Sequence, residues 1–218
     1  MKDKPNEWVS ISDLMAGVMA VVMLLLVMSV LQKQYADLKH KQEMEQGSVA
    51  QQKKIKAMLG ELKTSVEKKG AEGLMSFDLS AGKITLKDNV FSKGSACITP
   101  EAKSAFSNVE EKVANFIMEA KGGQIFVEGH TDNIPVSHPV TDFARYCTVY
   151  DDNFTLSAAR AREARKMLIG KLSTENANRI VVAGYGDSHP IQGISPESAK
   201  NRRVEVRFVI EDSSKSVK

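Results

Sequence analysis

Hydrophobic and polar positions fall into three regimes along the chain. Residues 14–31 contain no charged side chain, and Ser29 is their only conventionally polar one. Extended by Ile11 and Ser12, the run makes about 30 Å of helix, enough to cross the hydrocarbon core of a bilayer. A secretory signal peptide competes with this reading, since Lys2 and Lys4 resemble its basic start. Its apolar core is shorter, roughly 7–15 residues, and a small-x-small cleavage site should follow. Ser-Val-Leu-Gln-Lys follows instead. A buried soluble helix would keep a polar stripe. The pattern predicts a single membrane helix over residues 11–31, behind a short arm at 1–10.

Residues 32–73 are rich in Lys, Glu and Gln. Ile55, Leu59, Leu62 and Val66 recur at four-three-four spacing, the a/d rhythm of a short coiled coil. Gly47, Gly60, Gly70 and Gly73 would interrupt or weaken a continuous helix. A solvated spacer and a partly helical, dimer-forming stalk both fit this linker.

From residue 74 to 212 strand and helix patterns alternate, ahead of a short tail at 213–218. Residues 76–79 and 83–86 read as a hairpin turned by Ala81-Gly82. Thr99-Pro100 is an N-cap followed by proline in the first turn, opening a helix to about residue 120. Strands are predicted at 123–128, 179–183 and 203–210, and a second long helix at 155–172. The order ββαβαββ predicts an α+β sandwich, a mixed sheet with helices on one face.

Composition narrows the function. A net charge of +3 over 218 residues is too small to argue for direct nucleic-acid binding. Two distant cysteines, Cys97 and Cys147, without a CxxC or His-Cys cluster, argue against a metal site, and no cofactor is expected. Orientation is not legible from charge, because lysines lie on both sides of the apolar run.

Asp13 stands directly before that run, five positions after Trp8. It can cap the helix start in the headgroup region. It can equally be an ion-relay carboxylate, since ionisable groups inside membrane spans are costly and usually functional. Ser10, Ser12 and Gly17 are small and permit close approach of a partner helix.

Four motifs occur in order: Gly129-His130-Thr131-Asp132, then Asn153-x-x-Leu156-Ser157-x-x-Arg160-Ala161, Gly184-Tyr185-Gly186, and Asn201-Arg202-Arg203-Val204-Glu205. Together they resemble the OmpA-like peptidoglycan-binding family. The resemblance implies that Asp132 and Arg160 grip the zwitterionic end of diaminopimelate in the peptide stem, with Thr131, Leu156 and Ser157 shaping the pocket. The chemistry is sound by itself: a carboxylate takes the ammonium and a guanidinium fork takes the carboxylate. A turn-capping Asp132 and a surface-paired Arg160 are the structural alternative. Arg202 and Arg203 read as fold-stabilising rather than ligand-binding. His130, Asp132 and Ser157 do not read as a hydrolytic triad, since no G-x-S-x-G elbow is present; no enzymatic activity is expected.

A long segment, residues 133–152, separates the first two motifs and could cover the pocket or alter access. Cys147, within it, could pair with Cys97 if the domain lies outside the cytoplasm; two buried thiols are the other reading.

Trp8-Val9-Ser10-Ile11-Ser12-Asp13-Leu14-Met15 and His-Thr-Asp-Asn-Ile-Pro-Val at 130–136 are similar to the B subunits of ion-driven rotary stators. Two branches fit: flagellar stators of the MotB and PomB kind, and the B subunits of Zorya anti-phage systems. The short N-terminal arm and Ser-Asp-Leu-Met-Ala-Gly sit nearer the Zorya branch. The resemblance implies a homodimer of B helices inside a ring of five A-type subunits. Asp13 would translocate H+ or Na+ there, with the N-terminus cytoplasmic and the C-terminal domain held on peptidoglycan in the periplasm. A passive membrane-to-wall tether is the third reading.

Overall fold

The computed structural model describes residues 7–120, 122–170 and 172–210. Two compact units divide the chain, Met1–Ala50 and Gln51–Lys218. Helix α1 (Glu7–Lys68) contains the whole of the described part of the first unit. Within it Leu14–Lys39 is long and apolar enough to cross a membrane, and none of its most apolar stretch is buried by protein. Asp13 belongs to α1, but its side chain lies outside the described residues, as do the arm at 1–6 and the tail at 211–218.

The second unit is the α+β fold expected. Strands β1 (Met75–Asp78) and β2 (Lys83–Lys87) form the hairpin, followed by helix α2 (Pro100–Glu119) and strand β3 (Gly123–His130). Short helix α3 (Phe143–Tyr146), long helix α4 (Asn153–Leu168) and short helix α5 (Thr174–Ala177) precede β4 (Ile180–Gly184) and β5 (Arg203–Ile210). The five strands are ordered β1-β2-β5-β3-β4, with only β3 and β4 parallel. The Thr99 hydroxyl accepts from Ala102 N at the start of α2, and the Asp152 carboxylate accepts from Thr155 N at the start of α4. Both helices therefore begin where local capping chemistry puts them.

One correction concerns the linker. Ile55, Leu59, Leu62 and Val66 are not a seam held open for a second chain; they are 7%, 0%, 1% and 2% exposed, in one core with Ile84, Leu86, Phe106, Val109 and Val113. The compact unit thus starts at Gln51, well before the composition change at residue 74. Helix α1 runs through Gly47 and Gly60. A single helical glycine costs only about 1 kcal/mol, and past Gly60 the burial of Leu62 and Val66 outweighs it. The helix stops at Gly70, whose φ of +67° suits glycine, with Ala71 N donating back to Val66 O.

Gly129 decides how α4 meets the sheet. A Cβ there would lie 2.0 Å from the Ser157 carbonyl oxygen, a distance no side chain tolerates. The missing side chain lets α4 press its Ser157 backbone onto β3, and this brings the α4 motif beside Thr131-Asp132.

Candidate functional site

Strand register assembles the site. Lys87 pairs with Arg203 across β2 and β5, and Arg203 pairs with His130 across β5 and β3. One step past each pair lie Asp88, Arg202 and the Thr131-Asp132 turn, so three neighbouring strand ends bring distant residues together. Arg160 reaches the same place from α4.

Four charged side chains form an alternating row. Arg202 Nη1 donates to Asp132 Oδ2 at 2.6 Å. Its Nε and Nη2 meet Asp88 Oδ2 at 2.9 and 2.8 Å. Asp88 Oδ1 accepts from Arg160 Nη1 at 3.2 Å, and Arg160 Nε donates to the Ser95 carbonyl at 3.0 Å. The Arg160 guanidinium also lies over the Phe91 ring, 5.2 Å from its centroid. Arg160 and Asp132 share one network without touching; Asp88 and Arg202 link them.

Depth separates the four. The Arg160 and Asp132 side chains are 3% and 8% exposed, whereas Asp88 and Arg202 are 34% and 32% exposed. Burial pushes the Arg160 guanidinium down from its ordinary value and Asp88 beside it pushes back up. Hydrogen bonds to Asp88 and then Asp132 hold Arg202 above its ordinary value. The Thr131 hydroxyl oxygen is buried without a hydrogen-bond partner. A buried polar atom left unpaired is costly, and this one sits on the residue next to Asp132.

The remaining motif residues hold this arrangement. Asn153 Nδ2 donates to the Asp132 and Ile134 carbonyls, pinning the turn to the start of α4. Ser157, fully buried, donates to Phe154 O and accepts from Gly186 N. Its hydroxyl thus ties the Gly184-Tyr185-Gly186 turn to α4. Leu156 is buried at 8% exposure. Asn201 accepts from Ile191 N and donates to Ser195 O and Pro196 O. Arg203 is committed to Glu205, Asn201 O and His189 O, a fold-stabilising role, whereas its neighbour Arg202 belongs to the site.

Asp88 has no signal in the sequence, and Arg202, expected with Arg203 to stabilise the fold, instead joins Asp88 to Asp132. Asp88 belongs to none of the four motifs, and Arg202 is indistinguishable from Arg203 until strand register is known. Cys97 and Cys147 are joined by a disulfide. The segment 133–152 docks on the loop that carries Ser95: Ala96 N and Ser95 Oγ both donate to Tyr146 O, and Tyr150 donates to Gly94 O. The insertion therefore braces the loop whose carbonyl holds Arg160.

His130 faces away from the row and stacks on Tyr185 at 5.4 Å, with both ring nitrogens buried and unpartnered. Burial, and then the charge of Arg203, lowers its pKa from 6.5 to about 4. Between these values the unfolded chain takes up a proton that the folded one refuses, so stability is full above pH 6.5 and falls as pH drops towards 4. On going from pH 7 to 4.5, wild type should lose about 2 kcal/mol more than His130→Phe. Chemical denaturation at the two pH values reads this; parallel losses would show that His130 does not titrate in this way.

The mixed sheet thus carries an alternating row of two carboxylates and two guanidinium groups at the ends of β2, β5 and β3. Residues 90–203 match the OmpA family, and the chain belongs to it. Among its relatives, the Zorya protein ZorB of Escherichia coli is 26% identical over 223 residues, covering 96% of this chain and 89% of that protein. Motility protein B of Bacillus subtilis is 29% identical over 126 residues, 56% of this chain and 43% of that protein. A solved MotB-like protein of Desulfovibrio vulgaris superposes with a TM-score of 0.55 at 22% identity, over 73% of this chain and 96% of that one. The folded unit is thus an OmpA-family domain, and it shares its fold with that MotB-like structure.

Proposed function

We propose that this protein is the B subunit of an ion-driven rotary motor in the inner membrane, anchored to peptidoglycan and working in Zorya-type anti-phage defence. One observation carries the reading: a membrane-length apolar helix and an OmpA site occur in one chain that aligns with ZorB over 96% of its length. Two copies pair inside a pentamer of A-type subunits, and Asp13 of each binds and releases H+ or Na+. Neutralising that carboxylate removes the cost of a charge at lipid depth, so ion occupancy biases the A–B arrangement. The wall holds the B dimer still and the A ring turns. The N-terminus is cytoplasmic and the folded unit periplasmic, a compartment that suits the Cys97–Cys147 bridge. The subunit itself catalyses no reaction.

At the wall, the ammonium of a diaminopimelate end meets Asp132, with the unpaired Thr131 hydroxyl as a second acceptor, and its carboxylate meets Arg160. The test is sedimentation of the detergent-solubilised full chain with purified sacculi. Asp132→Ala should lower the bound fraction by about tenfold or more, the worth of one charge-assisted hydrogen-bonded contact. Undiminished sedimentation would remove Asp132 from the site.

A further inference from the structure

The site is filled by its own charges. A pocket built for a zwitterion keeps a carboxylate and a guanidinium out of water, and each is costly there without a partner. Asp132 and Arg160 are those deep groups, and each has a partner from the mouth. Arg202 Nη1 occupies Asp132 Oδ2, and Asp88 Oδ1 occupies Arg160 Nη1. An incoming ammonium and carboxylate would compete with these two ion pairs.

We propose that Arg202 and Asp88 stand in for the ligand's ammonium and carboxylate, and that wall binding proceeds by exchange of ion pairs. The proposal rests on the diaminopimelate reading of the site. The zwitterion displaces Arg202 from Asp132 and Asp88 from Arg160. Arg202 and Asp88 then leave together, because their own contacts at 2.9 and 2.8 Å need not break. Charge balances in both states: each deep group keeps one opposite partner, and the displaced two neutralise each other. Both mouth residues are about one-third exposed, so water can take over the bonds they give up, which deep residues could not manage. The Asp88–Arg160 contact is the longest of the row, at 3.2 Å. Arg202 and Asp88 are therefore affinity-setting residues that oppose binding.

The direction of the expected effect is unusual for residues lining a binding site. In the full-length protein in detergent, titrated calorimetrically with meso-diaminopimelic acid, Arg202→Gln should bind about tenfold more tightly than wild type, one ion-pair hydrogen bond no longer having to be broken. Asp88→Asn should also tighten binding. It leaves buried Arg160 without its carboxylate, so its folding is checked by thermal melting, and Arg202→Gln decides alone if Asp88→Asn fails to fold. Unchanged or weaker binding by Arg202→Gln, while Asp132→Ala still weakens binding about tenfold or more, overturns the exchange and leaves the site intact. Full binding by Asp132→Ala overturns the diaminopimelate site itself, and the exchange with it.

Discussion

Asp13→Asn is expected to abolish ion-driven activity completely while leaving wall binding at the wild-type level. Asparagine has nearly the shape of aspartate, so helix packing around residue 13 should survive the change. It cannot take up and release a cation, and the alternation between charged and neutral states that biases the A–B arrangement disappears with it. The measurement has two arms. Proteoliposomes carrying the variant with its A-type partner should show no proton or sodium flux under a membrane potential, and cells carrying it should lose phage resistance entirely. Sedimentation of the same variant with sacculi should match wild type. Full resistance in Asp13→Asn cells would reduce Asp13 to a helix cap and the protein to a tether. Restored swimming in a stator-deletion strain, without phage resistance, would move the chain to the flagellar branch.

Leu59→Ala is expected to destabilise the folded unit by about 3 kcal/mol, in the range for emptying a leucine site inside a packed core. For a unit of this size that corresponds to a melting temperature lower by about 9 °C. Leu59 is fully buried by its own chain, in the core that includes Leu62, Ile84 and Leu86. The loss should therefore be independent of protein concentration. A coiled-coil seam between two chains would behave otherwise, since dilution would lower the melting temperature of wild type and the mutation would steepen that dependence. Thermal melts over a hundredfold range of concentration separate the two. A mutant that melts with wild type would mean that residues 51–68 do not pack on the domain.

The two predictions fall on opposite sides of what a linear reading can reach. Residue 13 stands out in the sequence because a carboxylate beside an uninterrupted apolar run is conspicuous without any fold. Residue 59 is visible too, but its partner is not. A one-sided apolar stripe on a helix looks the same whether it faces a second chain or the chain's own sheet. The four motifs behaved in the same divided way. Gly129, Asn153, Ser157 and Asn201 were legible as a pattern, and the structure gives each a backbone contact that explains the spacing. What Ser157 contributes, a hydroxyl that ties a turn to α4, is visible only in the structure.

The sequence by itself determined the membrane-length helix, the order ββαβαββ and the helix start at Thr99-Pro100. All of these rest on contacts within a few residues, where hydrophobic period and capping chemistry act directly. Only the tertiary structure decided that α1 supplies part of the core and that Asp88 and Arg202 complete the charged row. Arg202 and Asp88 are 114 residues apart, and Arg160 and Asp88 are 72 apart. Strand register sets such meetings, and register is fixed by burying one face of the whole sheet at once, which no local stretch of sequence encodes.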